Sequence, residues 1–245
     1  MTFSILAYDA ETGRFGAGAA TGSLCVGGWV LRGTLASGMS ASQGTAPSTV
    51  WGETVLDHMK QGLSASDAVE KVTSADKGRA YRQLAAIDPR GTTSAFTGGE
   101  SVPACGHRAA ENVIVSGNML ASEAVLEAIL DTFLTTEDRF DKRILAALNA
   151  GEAAGSDSRG LMSAALLMIG YDMPPLTLRV DYSETPLEDL RKLHLRATKG
   201  AYAEWMHLVP TIQTPDRAPT PEDIDRLSQP ADPDDDIPTP FVETD

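Results

Sequence analysis

Only two cysteines, Cys25 and Cys105, occur in the 245 residues. A disulfide scaffold is excluded, and free thiols of the cytoplasm are expected. Basic residues are also scarce: 20 Lys+Arg stand against 34 Asp+Glu, a formal charge of −14. Such a field repels phosphate backbones and anionic lipid surfaces, so neither nucleic acid nor a membrane is expected as a partner. No run approaches the ~20 apolar residues of a membrane-spanning helix. The opening MTFSILAYDAETG has no basic stretch ahead of its apolar residues, so no signal peptide is expected. HExxH, CxxC, P-loop and GxSxG patterns are missing. Residues 16–22 (GAGAATG) hint at a dinucleotide fingerprint, but the third glycine is one place late and no acidic residue lies ~20 on. The four histidines, His58, His107, His194 and His207, lack close metal-ligand spacing. Neither a cofactor nor a metal is expected.

What is present suits one domain with an appendage. Residues 211–245 hold ten acids and two bases, and eight of the fourteen prolines lie from Pro210 to Pro240. Proline with net charge buries too little apolar surface to offset chain entropy. The expectation is a body over 1–210 and an extended acidic tail over 211–245, with Ile237, Pro240, Phe241 and Val242 as its few apolar anchors.

Within the body, residues 2–8 and 14–21 read as a hairpin around Asp9–Gly13. Residues 26–42 read as further small-residue strands. Trp51, Val55 and Met59 space a helix over 49–61, with Gly62 as its stop. Ser64 and Asp67 cap the next, over 65–75. Asp88-Pro89-Arg90-Gly91 turns a hairpin between 81–87 and 92–97. A strand over 111–116 breaks at Gly117-Asn118. Helices follow over 122–134 and, capped by Thr136 and ended by Gly151, over 137–150. A glycine-rich loop (151–160) leads to strands at 161–169 and 176–182. Thr185-Pro186-Leu187-Glu188 reads as a capping box for a long helix to about 207. Strand blocks separated by helix pairs are not βαβ repeats; they indicate an α+β layered architecture of mainly antiparallel sheets.

Several segments together resemble one family: TFSILAYDAETGRFGAGAAT at the start, SAFTG at 94–98, Gly106-His107, Val115–Leu120, Ala153–Gly160 with Ser163–Leu166, and Leu178–Asp181. The combination is similar to domain of unknown function 1028, and the likeness spans roughly 2–200. It implies an N-terminal-nucleophile (Ntn) hydrolase fold: a four-layer αββα sandwich with two stacked sheets. It also implies a homo-oligomer, a dimer or larger. In hydrolases of that fold the first mature residue attacks a carbonyl with its side chain, while its own α-amine takes the proton. That amine titrates near working pH. Removal of Met1 exposes Thr2 in that role. The first lysine is Lys60, so no early-strand lysine assists; Arg14 and Arg32 stay protonated and relay no proton.

The loops supply the other candidates. Asn118 either donates its amide to a developing oxyanion or serves as a turn residue. Asp157 and Arg159 orient the nucleophile or hold a substrate carboxylate, or else form a salt-bridged loop. Gln43 and Gly44 offer amide donors to a pocket. Ser163 is a site hydroxyl or a packing residue, and His107 a base or a structural histidine. A Cys105–His107 dyad is disfavoured because the two are too close in sequence on a loop. Two readings follow: an amidohydrolase of a small or peptide-like substrate with Thr2 as nucleophile, or a non-catalytic small-molecule-binding or assembly module on the same scaffold. A hydrolase using another side chain stays open.

Overall fold

The first hairpin sets the architecture. β1 (Thr2–Asp9) and β2 (Arg14–Thr21) pair antiparallel in a register that puts Thr2 opposite Thr21. Side chains alternate across a strand. Phe3, Ile5 and Ala7 therefore enter one core, and Thr2, Ser4, Leu6 and Tyr8 point the other way. The computed structural model describes residues 1–155 and 160–227. After β2 come a short helix α1 (Val26–Trp29), then β3 (Leu31–Thr34), β4 (Gly38–Gly44), α2 (Thr49–Lys60) and α3 (Ala65–Ser74). Next are β5 (Arg82–Ile87), β6 (Thr93–Thr97), β7 (Ala104–Ala110), β8 (Val113–Leu120), α4 (Ala124–Thr135) and α5 (Phe140–Ala153). The chain closes with β9 (Ser163–Gly170), β10 (Met173–Val180), α6 (Pro186–Thr198), α7 (Gly200–Met206) and α8 (Pro221–Leu227).

The strands form two antiparallel sheets, ordered β10-β9-β2-β1-β8-β7 and β3-β4-β5-β6. The α+β class with two antiparallel sheets thus stands as expected. β1 and β8 of the larger sheet meet β4 and β5 of the smaller one face to face. On the far face of the larger sheet lie α4, α5 and α6, burying Leu126, Ile129, Ile144, Leu148 and Leu190. The far face of the smaller sheet carries α2 and α3 over Trp51, Val55, Val69 and Leu84. The larger sheet tolerates α5 closely because β2 offers glycines. A Cβ on Gly16 or Gly18 would stand under 3 Å from Ile144.

Several local signals hold. Asp67 N–H donates to Ser64 Oγ at 3.1 Å, and Gly62 sits at φ +97° after α2, closing a Schellman motif with Leu63 N–H on the His58 carbonyl. Gly91, at φ +81°, donates to the Asp88 carbonyl in the expected turn. Others shift for identifiable reasons. Residues 26–29, read as strand, are helical because Cys25 takes φ 62° and Gly27-Gly28 settle onto the Arg179 side chain. Cys105 and His107, read as lying on a loop, sit on the edge strand β7. The strand ending in Leu120 runs straight through Gly117-Asn118, and the left-handed residue is Met119 (φ 57°).

Thr136 ends α4 by donating to the Thr132 carbonyl, and does not start α5. Gly151 lies inside α5, where a Cβ would strike Ile129 and Phe3. The box at Thr185 is displaced by two residues. Ser183 Oγ takes the Thr185 N–H (2.9 Å) and donates to Asp189 (2.6 Å), while Glu188 pairs with Arg191. The long helix breaks at Lys199, giving α6 and α7. Part of the acidic segment lies against the body: Gln213 N–H donates to the Tyr171 carbonyl. Thr220 and Asp223 then cap α8 reciprocally.

Candidate functional site

Between the two sheets the side chains are graded along the strands. At one end a rung runs across four strands as Ser163, Thr21, Thr2 and Asn118, each directly opposite the next. The smaller sheet faces it with a rung of Gln43, Gln83 and Thr97. One step inward the rungs are Ala165, Ala19, Ser4 and Ser116 against Ala41, Ala85 and Ala95. A further step brings Leu167, Ala17, Leu6 and Ile114 against Met39 and Ile87. The layer passes from polar, through small, to bulky and apolar.

A cleft of about 320 Å³ opens at the polar end. Thr2, Thr21, Gln43, Gly44 and Thr45 line it on one side, and Leu24, Val26, Trp29 and Val30 on the other. Leu24 and Trp29 are more than half exposed, so an apolar rim stands over a hydroxyl- and amide-lined floor. Among the described residues lining this cleft none is titratable. Gly44 is required where it stands: it has φ +131°, and a Cβ would lie 2.6 Å from the Tyr81 carbonyl oxygen.

The hydroxyls form a directed chain. Thr21 Oγ1 donates to the Met1 carbonyl at 2.6 Å. A hydroxyl has one proton, so in the 2.9 Å Thr2–Thr21 contact Thr2 is the donor. Met1 itself is 4% exposed and its side chain joins the helix-covered core.

The amides are directed too. Gln83 Nε2 lies 3.0 Å from the Gly106 carbonyl and 2.9 Å from the Gly117 carbonyl, with Thr97 Oγ1 at 2.8 Å. Carbonyls only accept, so this end must be nitrogen. Gln83 Oε1 then receives Gln43 Nε2 at 2.7 Å, and the Thr2 carbonyl lies 3.4 Å from the same nitrogen. Gln43 Oε1 is left buried without a donor.

The site residues read from the sequence divide as follows. Thr2, Gln43 and Gly44 meet at the cleft. Gln43 was expected to donate into the pocket; its nitrogen is engaged by Gln83, and its Oε1 is buried. Asn118 is paired beside Thr2, buried, with Oδ1 unpartnered, but it is not among the lining residues. Ser163 is fully buried and holds the wall from behind: its Oγ donates to the Ser23 carbonyl (2.7 Å) and accepts Val26 N–H (3.1 Å). His107, on β7, is exposed as a residue and is not among the lining residues; its pKa is lowered by partial shielding of the ring from solvent and by the Arg108 charge. Asp157 and Arg159 lie outside the described residues. Thr21 and Gln83 escaped the sequence reading. Thr21 was within reach, since the Asp9–Arg14 turn fixes it opposite Thr2.

A second cleft, about 480 Å³, lies between the β1–β2 turn, the start of α5, the β9–β10 turn and α7. Four of its charged side chains pair with one another, Arg14 with Asp172 and Arg139 with Asp141. Arg14 forks Asp172, whose carboxyl pKa falls in consequence. Burial pushes the Asp141 carboxyl up, but the His194 hydrogen bond (2.7 Å) and Arg139 outweigh it and hold the pKa at about 2. Among the described residues no group of three or more His, Cys, Asp or Glu could hold a metal, and no helix is long and apolar enough to cross a membrane.

The fold and the graded layer belong to a mixed α+β protein with two antiparallel sheets. The chain is a member of the family of unknown function DUF1028, whose model matches residues 2–190. The crystal structure of protein SPO2555 from Silicibacter pomeroyi, of the same family, is 52% identical with a TM-score of 0.86; the match covers 89% of this chain and 99% of that one. Anbu, the ancestral β-subunit from Yersinia bercovieri, aligns at 13% identity and a TM-score of 0.37, over 78% and 92% of the two chains. No curated protein matches.

Proposed function

We propose that this chain is an Ntn-type hydrolase on a four-layer αββα sandwich. It would cleave an amide of a small or peptide-like substrate with Thr2 as nucleophile once Met1 is removed. The observation that carries this reading is the position of Thr2: its hydroxyl borders a cleft whose described lining has no titratable side chain. A threonine hydroxyl needs a base to become nucleophilic. The α-amine that Met1 excision creates is the base the site otherwise lacks. Excision also deletes the Met1 carbonyl that holds the Thr21 proton, freeing that hydroxyl to bond elsewhere.

A second reading, a binding module without catalysis, is favoured by Met1 itself. Its side chain is buried in the core, and its carbonyl accepts from both Thr21 Oγ1 and Gly22 N–H. Intact mass separates the two. Under the hydrolase reading the protein from its native host lacks the mass of Met1, and Thr2→Ala abolishes amide cleavage while Thr2→Ser retains part of it. A mass that keeps Met1, or cleavage unchanged in Thr2→Ala, overturns it.

A further inference from the structure

The second cleft, about 480 Å³, is the roomier of the two and lies at the other end of β1 from Thr2. Phe3, Ile5 and Ala7 face the helix-covered core, so Asp9, two places further on, shares that face, with Arg14 directly opposite. One rung inward, Gly16 pairs with Met168 and Met168 with Leu176. Met173, Phe140 of α5 and Met206 of α7 complete an apolar floor. Three of these side chains are methionines, whose flexible thioethers adapt to the shape of a guest. A space of this size suits one small molecule.

The charges on the lining are three of each sign: Arg14, Arg139 and Arg217 against Asp9, Asp141 and Asp172. Four are committed. Arg14 holds Asp172 through two hydrogen bonds (2.6 and 3.1 Å), and Arg139 holds Asp141 at 2.8 Å. Asp9 and Arg217 form no ion pair among the described residues. The Asp9 carboxylate accepts from the Glu11 N–H and the Thr12 hydroxyl of its own turn. Arg217 Nη1 donates to the His207 carbonyl (2.6 Å), which leaves Nε and Nη2 for a ligand.

The two unmatched groups are thus one anion and one cation. A ligand with a single positive charge would meet three guanidinium groups besides Asp9; one with a single negative charge would meet three carboxylates besides Arg217. A ligand carrying both signs offsets both, and its apolar body covers the methionine floor.

We propose that this cleft binds an apolar zwitterion, with its ammonium toward Asp9, its carboxylate on Arg217 and its apolar body over Met168, Met173 and Met206. A free apolar amino acid and a short apolar peptide share that chemistry. The site uses neither Thr2 nor the cleft beside it, so it stands or falls apart from the hydrolase reading.

The test follows the methionine methyl signals of the full chain by NMR. Leucine and leucyl-leucine are titrated, each also in N-acetylated and in C-amidated form, against the wild-type chain and Thr2→Ala. The Met168, Met173 and Met206 signals shift, and the tighter of the two free forms identifies the source. Its acetylated and amidated relatives bind about fivefold more weakly, the worth of one partly exposed ion pair. Arg217→Ala lets the amide bind as well as the carboxylate, and Asp9→Asn does the same for the acetylated form. Should Arg217→Ala fail to fold, Arg217→Lys keeps the preference for the carboxylate. Thr2→Ala leaves the affinities unchanged. Equal binding of free and blocked forms, a singly charged form binding best, shifts confined to other methionines, no binding, or binding lost in Thr2→Ala overturns the proposal.

Discussion

The two ends of the layer between the sheets are built on the same paired strands and differ most in their side chains. At one end Leu6, Phe15, Met39, Ile87, Ile114 and Ile169 close on one another without a polar atom. At the other, Thr2, Thr21, Asn118, Gln43 and Gln83 occupy equivalent rungs and leave two buried acceptors unmatched, Gln43 Oε1 and Asn118 Oδ1. The apolar end gains stability from burial. The polar end forgoes part of that gain and keeps an opening. Among natural sequences, local departures from good packing and polar satisfaction concentrate at functional sites.

The contrast can be broken most strongly at the apolar end. Leu6→Ala, at a fully buried position, should lower unfolding stability by about 3 kcal/mol in urea titration, with the cavity it leaves adding to the lost burial. Next is Gln83→Leu, which strands the Gly106 and Gly117 carbonyls and should remove about 2 kcal/mol. A similar loss is expected from acid acting outside the layer. Asp141 has a folded pKa of about 2 against an ordinary 3.8, so its contribution is full above pH 4 and disappears as pH falls toward 2. Its size is about 2 kcal/mol, and Asp141→Asn should flatten the stability profile across that window. A smaller effect is expected from Gln43→Leu, about 1 kcal/mol, because the loss of the Nε2 bond to Gln83 Oε1 is partly offset by removing the unmatched Gln43 Oε1. If Gln43→Leu proves as damaging as Gln83→Leu, the two ends are not distinct in the way described.

The α+β class, and most helices, were legible because their signals are local. Ser64 with Asp67, Gly62, and the Asp88–Gly91 turn depend on a few neighbouring residues. What failed was tertiary. α1 exists because Gly27 and Gly28 rest on Arg179, more than 150 positions away in the chain. Gly151 reads as a helix stop in sequence but is small to admit Ile129 and Phe3. At the cleft, Thr2 was singled out through the family resemblance, and Gln43 and Gly44 through residue type and loop position. The direction of Gln43 could not be read, since it is dictated by carbonyls on β7 and β8. Ser163 shows the same gap. A buried hydroxyl next to a site looks like a reactive group until its two bonds to Ser23 and Val26 are seen.

The row of hydroxyls from Thr2 through Thr21 terminates on the carbonyl of the first residue. With Met1 in place, the Thr21 proton is committed to that carbonyl, and the Thr2 proton to Thr21. Without it Thr21 is released, and the polarity of the whole row can reverse. A chain with and a chain without that one residue therefore present chemically different floors to whatever enters the cleft.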